Sequence, residues 1–443
     1  MGENRLKVEE LLFEKYYSKI YKILLNAKKS KYYGELLRNI DFSQKITYEM
    51  FSSIPITAKE DYRNAKFDIY AGPDNGFSYE KFNSFNIETE SQERAEYGRK
   101  FDIERYMTSG STGQPLEVLK TTSDNFNDYM VLNYYRKKLT DYNFADPYIW
   151  VWPNNPLFGN KDSDGLSKRV KVKSNGCKFA LLKHSNDDFK ELYEFVKGSR
   201  YKWITTSPSV LVNFADYINS NHLQPIDFKY IECHSENLYD WQRETIQSTF
   251  GVSPVSIYSS NEIQFMGAKC NRGNMHVFAN GCFIESVNTG KANELIVTSL
   301  NYYGFPIIRY KIGDVGQWST KTCDCALSSL PILELSGYRT NDFVKLRDGS
   351  ILETYIITDG IYLLNNSKKL NITKYKIVQT DYDSFDIYLP QELCSEHSAP
   401  IQNFMSQYLG TFINEDIRVQ VKNMDIEKTR LHEKKFKYFE TLV

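Results

Sequence analysis

The pattern of apolar positions predicts an amphipathic helix near the start of the chain. Between residues 6 and 28, apolar side chains recur at helical spacing: Leu11, Leu12, Tyr16, Ile20, Ile23 and Leu24. Residues three and four apart share one face of a helix, so we expect this face to pack on the body of the protein.

Between residues 185 and 262, amphipathic helical patterns alternate with short apolar runs. Strands are predicted over Trp203–Thr206, Tyr230–Cys233 and Val255–Tyr258. This alternation indicates a parallel α/β sheet, in which ligands bind beyond the carboxyl ends of the strands. Ser235-Glu236 and Asn261-Glu262 follow two of these strands. They are either helix caps and solvated carboxylates or parts of a binding site.

The pattern changes in the second half of the chain. From about residue 275 to 320, apolar and polar residues alternate, which favours hairpins or a small barrel. After about residue 342, short strands mix with helical segments and predict a separate α+β domain. The expected fold class is therefore α/β, with a large N-terminal domain of mixed sheets and a small barrel-like β part, followed by a small α+β domain.

Composition narrows the functional classes. The 443 residues include 55 Lys+Arg and 56 Asp+Glu, giving a net charge of −1. This balance lacks the basic footprint of a nucleic-acid binder. No apolar run approaches the roughly 18 residues of a membrane span, and no secretory or myristoylation signal is recognised, so we expect a soluble, cytoplasmic protein. Seven scattered cysteines do not suggest a disulfide scaffold.

The chain's densest group of small and hydroxyl residues is Thr108-Ser109-Gly110-Ser111-Thr112-Gly113-Gln114-Pro115. Glycines let backbone amides turn toward an anion, and the hydroxyls add donors, which suits phosphate. No lysine follows Gly113, and residues 116 to 120 alternate like a strand, so this is not a Walker loop. Composition alone leaves a flexible turn and a phosphate loop as alternatives.

The exact string resembles the phosphate loop of the adenylate-forming (acyl-CoA synthetase) superfamily. Five further segments resemble elements of its phenylacetate–CoA ligase and capsule-biosynthesis branch in the same order: Ile54 to Asp61, Ser235 to Leu238, Tyr258 to Glu262, Pro306 to Asp314 and Tyr338 to Asp342. The resemblance covers nearly the whole chain. It implies the adenylate-forming fold, with a large domain over residues 1–338, a hinge at 339–342 and a small mobile C-terminal domain over 343–443.

The resemblance also implies a set of site residues. The phosphate loop, with Thr108 as a catalytic residue, would hold the ATP phosphates, and Glu262 would coordinate Mg²⁺ and take part in catalysis. Asp314 would accept from the ribose hydroxyls, and Arg339 would contact the ribose or phosphate. Arg309 is expected close to the anionic nucleotide. The remaining nucleotide-binding candidates are Ser109, Gly110, Ser111, Thr112, Gly113, Ser235, Glu236, Asn237, Tyr258 and Asn261.

The C-terminal tail and several departures from the family pattern bear on catalysis. Lys435 matches the family lysine that bridges the acyl carboxylate and the α-phosphate, with Lys434 as the neighbouring candidate. A solvated basic terminus is the alternative. Asn261 replaces a threonine expected to touch the α-phosphate, although an asparagine side chain can still donate a hydrogen bond. The hinge also differs, with Tyr338 in place of the expected glycine.

A cysteine and histidine pattern predicts a structural metal site. Cys270 and His276 stand six residues apart, and Cys323 and Cys325 follow as a Cys-x-Cys pair. Three thiolates and one imidazole make a closed tetrahedral zinc set. Capsule-type members of the family show similar pairs. Buried thiols that coincide with a surface histidine are the alternative.

The expected function is an ATP- and Mg²⁺-dependent ligase that makes an acyl-adenylate and then a CoA thioester. One alternative transfers the acyl group to an amine or carrier protein, as in polysaccharide or natural-product biosynthesis. Another is a catalytically weak nucleotide-binding protein. The expected cofactors are ATP, Mg²⁺, CoA and structural Zn²⁺. The expected partners are a small carboxylic acid and an acceptor, which is CoA, an amine or a carrier protein. A homodimer is the expected form of self-association.

Overall fold

The structure is a computed structural model. It describes residues 3–85, 91–108, 116–140, 143, 145–153, 170–173, 175–181, 186–235, 238, 240–288, 293–335, 344–352, 355–370, 372, 375–413, 416–424 and 439–443. Among these residues, no helix combines the length and apolar character that a membrane crossing requires.

The predicted alternation of helices and strands is found between residues 185 and 262, as α8, β6, α9, β7, α10 and β8 of the elements given next. The helices are α1 (Glu3–Ala27), α2 (Lys31–Leu36), α3 (Tyr48–Ser52), α4 (Lys59–Ala65), α5 (Tyr79–Ser84), α6 (Ser91–Lys100), α7 (Thr122–Leu139), α8 (Asn186–Lys197), α9 (Pro208–Ser220), α10 (Asp240–Phe250), α11 (Tyr355–Lys368) and α12 (Gln391–Gly410), with a 3₁₀ turn at Lys66–Ile69. The strands are β1 (Ile103–Met107), β2 (Glu117–Thr121), β3 (Tyr148–Pro153), β4 (Val170–Lys173), β5 (Gly176–Leu181), β6 (Trp203–Thr206), β7 (Tyr230–Cys233), β8 (Val255–Tyr258), β9 (Gly267–Lys269), β10 (Met275–Val277), β11 (Cys282–Asn288), β12 (Asn293–Ser299), β13 (Tyr310–Trp318), β14 (Ile332–Leu335), β15 (Val344–Lys345), β16 (Ile351–Leu352), β17 (Lys376–Asp381), β18 (Ser384–Leu389), β19 (Arg418–Asn423) and β20 (Phe439–Thr441).

The first of two compact units comprises Met1–Thr108, Leu116–Phe144 and Val255–Arg339. Its strands β8 to β14 form an antiparallel arrangement in the order β11-β12-β13-β14-β10-β9-β8. Helix α1 packs most of its predicted apolar face, including the buried Ile20, Ile23 and Leu24, into the same core as strands β11 to β13. Leu11, which the pattern assigned to this face, is instead 63 % exposed. Strands β1 and β2 form a separate antiparallel pair.

The second unit comprises Ser109–Pro115, Ala145–Pro254 and Thr340–Val443. Strands β5, β3, β6 and β7 are parallel neighbours, and β4 pairs with β5 antiparallel. One core lies between this sheet and helices α8 and α9. A separate core fills the segment from Val344 to Phe439, where β19-β18-β17-β20 form a mixed sheet with α11 and α12.

Local chemistry explains why these elements form where they do. Pro208 occupies the first turn of α9, where its missing N–H leaves no hydrogen bond unmade, and Ser207 precedes it as the N-cap residue. Asp187 and Asp188 lie in the first turn of α8, where carboxylates favour the positive end of the helix dipole. Strands β6, β7 and β8 have the bounds that the sequence pattern predicts. The α/β fold class with a small α+β part is confirmed. The division at 338 and the hinge at 339–342 stay predictions because residues 336–343 lie outside the described ranges.

Candidate nucleotide and metal sites

The two ends of the hydroxyl-rich loop meet at the described strand pair. Thr108 follows β1, and its N–H donates to the carbonyl of Leu116 at 3.0 Å. The Leu116 N–H in turn donates to the Thr108 hydroxyl oxygen at 2.8 Å. Thr108 is buried, at 6 % exposure. Two hydrogen bonds therefore join the residues that flank the loop on either side. The loop residues 109–115 themselves lie outside the described part of the chain.

The replacement residue Asn261 links the base of this loop to the predicted magnesium segment. Its side-chain amide donates to the carbonyl of Met107, the last residue of β1. Asn261 precedes Glu262, so two segments that are distant in sequence are joined beside Thr108. A threonine at this position would offer only its shorter hydroxyl as a side-chain donor, whereas the asparagine amide reaches the main chain of the loop's entry strand.

Glu262 is a buried carboxylate with a cation and a hydroxyl around it. Its Oε1 accepts from the Tyr310 hydroxyl at 3.0 Å and lies 3.7 Å from the Lys59 ammonium. Glu262 is 5 % exposed, and the Lys59 side chain is 13 % exposed. Mg²⁺ prefers oxygen ligands and takes one or two carboxylates alongside phosphate oxygens, so the Glu262 carboxylate is of the chemical type that this ion binds.

The segment that carries Lys59 is fixed by backbone pairing. Thr57 and Tyr310 form a parallel bridge, in which the Thr57 N–H donates to the Arg309 carbonyl at 2.9 Å and the Lys311 N–H donates to the Thr57 carbonyl at 2.8 Å. Helix α4 begins at Lys59, and the Asp61 carboxylate accepts from the Ala58 N–H at 2.7 Å. These contacts place the Lys59 amine beside Glu262.

Asp314 is held by a second predicted site residue. The Tyr258 hydroxyl, at the end of β8, donates to Asp314 Oδ2 at 2.7 Å. Asp314 lies on β13 next to Gly313, whose φ of +86° is a left-handed conformation that suits glycine. The two residues that the sequence assigns to the nucleotide are thus in direct contact.

Ser235 lies in the second unit, beyond the carboxyl end of β7. Its φ of +72° is unusual for a residue with a side chain. The Ser235 hydroxyl and His234 Nδ1 are 2.9 Å apart, and the His234 N–H donates to the Thr206 carbonyl at 3.1 Å. Strained backbone of this kind is common at ligand sites, so the position is compatible with the predicted role.

The other predicted site residues fall outside the described ranges. They are Ser109, Gly110, Ser111, Thr112, Gly113, Glu236, Asn237, Arg339, Lys434 and Lys435. Their roles stay predictions.

Arg309 does not have the role that the sequence suggests. The expectation that it serves the nucleotide is wrong, because its donors are bound within the protein. Its Nε and Nη2 donate to the two carboxylate oxygens of Glu285 at 2.9 and 3.0 Å, and Nη1 donates to the carbonyls of Ser52 and Ile54. Arg309 is 5 % exposed and Glu285 1 % exposed. This buried bidentate pair joins the N-terminal segment to β11 and the start of β13.

The predicted zinc ligands lie together. The ligand atoms of Cys270, His276, Cys323 and Cys325 are all within 4.8 Å of one another. Cys270 follows β9 and His276 lies on β10, while both other cysteines belong to the connection between β13 and β14. Gly273, with φ of +81°, forms the turn between the first two ligands.

The geometry of this cluster fits a tetrahedral ion. Cys270 Sγ and Cys323 Sγ are 3.8 Å apart, and Cys325 Sγ lies 3.2 Å from His276 Nε2. Zn–S bonds of about 2.3 Å in a tetrahedron place two sulfurs about 3.8 Å apart. His276 Nδ1 lies 3.3 Å from the Leu330 carbonyl, which suits ligation through Nε2. Amide N–H groups of Asn274 and Leu327 donate to Cys323 and Cys325 sulfurs at 3.3 and 3.2 Å.

Sequence reasoning gave no role to the two groups that surround Glu262. Lys59 and Tyr310 both lie in segments that resemble family elements. The resemblance therefore marked these positions, but it assigned no role to either side chain. Their convergence depends on the Thr57–Tyr310 bridge, a contact between distant segments that residue spacing does not reveal.

The architecture matches that of the acyl-CoA ligases with the adenylate-forming fold. A solved structure of 2-hydroxyisobutyryl-CoA ligase, in complex with 2-HIB-AMP and CoA in the thioesterification state, aligns with a TM-score of 0.60 at 14 % identity, covering 98 % of this chain and 90 % of that one. The same ligase in its postadenylation state aligns with a TM-score of 0.54, also at 14 % identity, covering 95 % of this chain and 88 % of that one.

Among curated proteins, Protein CapK from Staphylococcus aureus is 21 % identical over 388 residues, covering 85 % of this chain and 76 % of that protein. Phenylacetate-coenzyme A ligase from Pseudomonas putida is 21 % identical over 247 residues, covering 53 % of this chain and 54 % of that protein. No protein-family model matches the chain. The resemblance to the adenylate-forming superfamily is confirmed.

Proposed function

We propose that this protein is an ATP- and Mg²⁺-dependent ligase that activates a carboxylic acid as its acyl-adenylate. The observation that carries the proposal is the Asn261–Met107 hydrogen bond, which joins the base of the phosphate loop to the segment bearing Glu262. A nucleotide whose phosphates lie on the loop would thus have a buried carboxylate and the Lys59 ammonium nearby.

Each described residue has a task in this reaction. Thr108 closes the loop that would hold the β- and γ-phosphates, and Asp314, oriented by Tyr258, would accept from the ribose hydroxyls. Glu262 would hold Mg²⁺, which when bound stabilises negative charge on the phosphates. Asn261 would lie near the α-phosphate, and Ser235 would line the adenine. Glu236, Asn237 and Arg339, which lie outside the described residues, keep the roles that the sequence predicts for them, at the adenine and at the ribose or phosphate.

The chemistry explains why cations are required. An acyl carboxylate oxygen attacks the α-phosphorus, a bond to phosphorus forms, and the bond to the β-phosphate oxygen breaks as pyrophosphate leaves. Two anionic groups must approach each other, so a positioned ammonium lowers the barrier. We assign that task to Lys435, while the Lys59 ammonium, 3.7 Å from Glu262, would attract the phosphates of the bound nucleotide.

The second half-reaction is proposed to yield a CoA thioester. The thiol would attack the anhydride carbonyl, and AMP would leave. This choice is supported by the likeness to the 2-hydroxyisobutyryl-CoA and phenylacetate-coenzyme A ligases. An amine or carrier-protein acceptor is the alternative outcome of the acceptor assay.

We further propose a structural role for zinc at the Cys270, His276, Cys323 and Cys325 cluster. All four positions are taken by protein ligands, so the coordination shell would leave no place for a substrate. The ion would tie the β9–β10 hairpin to the β13–β14 connection.

Pyrophosphate exchange into ATP tests the proposed function. A panel of aryl, aliphatic, hydroxy and amino acids is supplied with Mg²⁺ and labelled pyrophosphate, and at least one acid should support exchange. Adding CoA, an amine or a carrier protein to the active acid then identifies the acceptor. ATP binding without exchange by any acid would favour the weak nucleotide-binding alternative and overturn the ligase.

A further inference from the structure

A buried lysine outside the predicted site lies in the first unit. Lys120, on β2, has no exposed surface. Its ammonium donates to the Tyr302 hydroxyl at 2.7 Å and lies over the rings of Tyr302 and Tyr106, at 4.5 and 5.1 Å from their centroids. A buried charge is costly unless it is paired and hydrogen-bonded, so this arrangement requires an explanation.

The Tyr302 hydroxyl is the centre of the arrangement. It accepts from Lys120, accepts from the backbone N–H of Gln264 at 3.0 Å, and donates to Asp128 Oδ2. A phenol has one proton and two lone pairs, so this oxygen is fully used. Asp128 Oδ1 also accepts from Asn301 Nδ2 at 3.0 Å. Burial lowers the pKa of Lys120 to about 8 and raises that of Asp128 to about 6.

These contacts connect strands β1 and β2 to the segment that follows Glu262, and the proposed function requires these segments to keep a fixed relative position. Lys120 lies on the strand that leaves the phosphate loop, and Tyr106 lies on the strand that enters it. Gln264 follows Glu262 by two residues. Strands β1 and β2 pair as a separate two-stranded ribbon. The ribbon therefore depends on side-chain contacts such as these for its position.

We propose that Lys120 is a positioning residue, which acts through the Tyr302 hydroxyl to hold the phosphate-loop strands in register with the Glu262 segment. The inference rests on the proposed function, because the loop and Glu262 are assigned to ATP and Mg²⁺ there. Lys120 itself touches no substrate in this proposal. It keeps two groups that contact the nucleotide at a fixed separation.

The first test is made on the protein without nucleotide. Hydrogen–deuterium exchange of residues 103–108 and 116–121 should rise roughly tenfold or more in Lys120→Met and in Tyr302→Phe, because a hydrogen bond involving a charged group is lost. Tyr193→Phe is the matched control, since Tyr193 is another buried tyrosine, with its hydroxyl bound to the Gln224 carbonyl. Unchanged exchange in Tyr302→Phe would overturn the proposal. Where Lys120→Met unfolds, Tyr302→Phe carries the test.

The second test separates positioning from general destabilisation. ATP is titrated calorimetrically into the protein, once in the presence of Mg²⁺ and once in the presence of EDTA. The ratio of the two dissociation constants is the factor by which Mg²⁺ tightens ATP binding. Tyr302→Phe should reduce this factor roughly tenfold while changing the affinity in EDTA little. In a Glu262→Gln background the same substitution should have no further effect on the factor.

The outcomes distinguish the two proposals. Additive losses in the double variant, or an unchanged Mg²⁺ factor in Tyr302→Phe, would overturn the role of Lys120 and leave the ligase in place. Failure of the unsubstituted protein to bind ATP at all would overturn both.

Discussion

The hydroxyl of Tyr258 donates a 2.7 Å hydrogen bond to Oδ2 of Asp314, across two strands of the first unit. In the proposed function Asp314 accepts from the ribose hydroxyls, for which its carboxylate needs a defined orientation, and the hydrogen bond from the Tyr258 ring provides one. The Tyr258 side chain therefore has a role beyond packing, because its hydroxyl fixes the position of the Asp314 carboxylate.

Tyr258→Phe should raise the KM for ATP roughly tenfold in pyrophosphate exchange, since a hydrogen bond to a charged acceptor contributes about 1.5–3 kcal/mol. Tyr134→Phe, at an exposed tyrosine, should leave the KM unchanged. Equal KM values for the two variants would contradict the orienting role of Tyr258.

Lys59→Met should weaken ATP binding about tenfold, because it removes the ammonium 3.7 Å from Glu262 where negative phosphates are proposed to lie. Calorimetric titration with Mg²⁺ and ATP measures this. Lys31→Met is the control, since Lys31 pairs with Asp68 on the exposed surface. An unchanged dissociation constant in Lys59→Met would argue that this amine only balances the charge of Glu262 in the folded state.

Protein purified without chelator should contain about one zinc per chain, and Cys323→Ser should lose most of it. The melting temperature of this variant should fall by several degrees, because the ion contributes folding energy. Cys394→Ser, at a half-buried cysteine distant in sequence from the cluster, should keep both the metal and the melting temperature. Metal analysis near zero in the unsubstituted protein would reject the site.

Arg309→Met should lower the free energy of unfolding by about 3–5 kcal/mol in urea titration, because Glu285 would remain buried without its cation. Arg38→Met removes an exposed ion pair with Glu35 and should change stability by less than about 1 kcal/mol. Similar small losses in the two variants would contradict the structural role assigned to Arg309.

Lys435→Ala should lose adenylate formation while still making thioester from a supplied acyl-adenylate, because the lysine is needed only while two anions approach. Lys434→Ala is the matched comparison and should retain both steps. Equal loss of both half-reactions in Lys435→Ala would end its assigned role.

Local patterns in the sequence were sufficient for strands β6, β7 and β8 and for the residues of the Cys/His cluster. Trp203–Thr206 and Tyr230–Cys233 are short runs bounded by polar or turn residues, so their limits follow from the run itself. The Cys and His spacing likewise identified four ligand atoms that the structure brings within 4.8 Å. In both cases the relevant information lies in residue type and short-range order.

Side-chain partners across long sequence separations could not be predicted in this way. Arg309 stands next to a motif tyrosine, and its residue type suits a nucleotide as well as it suits Glu285. Arg309 binds Glu285 because it is buried and because the carbonyls of Ser52 and Ile54 accept from its Nη1. These partners come together only when the chain is folded. Lys120 was unassigned for the same reason, because its acceptor Tyr302 is brought beside it only by the tertiary fold.

The core of the first unit has a consequence for how the chain is made. Phe13, Ile20 and Ile23 share one core with Phe283, Val297 and Leu333. A ribosome adds about 5–20 residues per second, so these late partners reach the helix only tens of seconds after it is made. Phe51, whose ring centroid lies 5.3 Å from that of Phe13, follows the helix within seconds. The helix can therefore cover part of its apolar face early, whereas the core of this unit is completed only when the late strands have been synthesised.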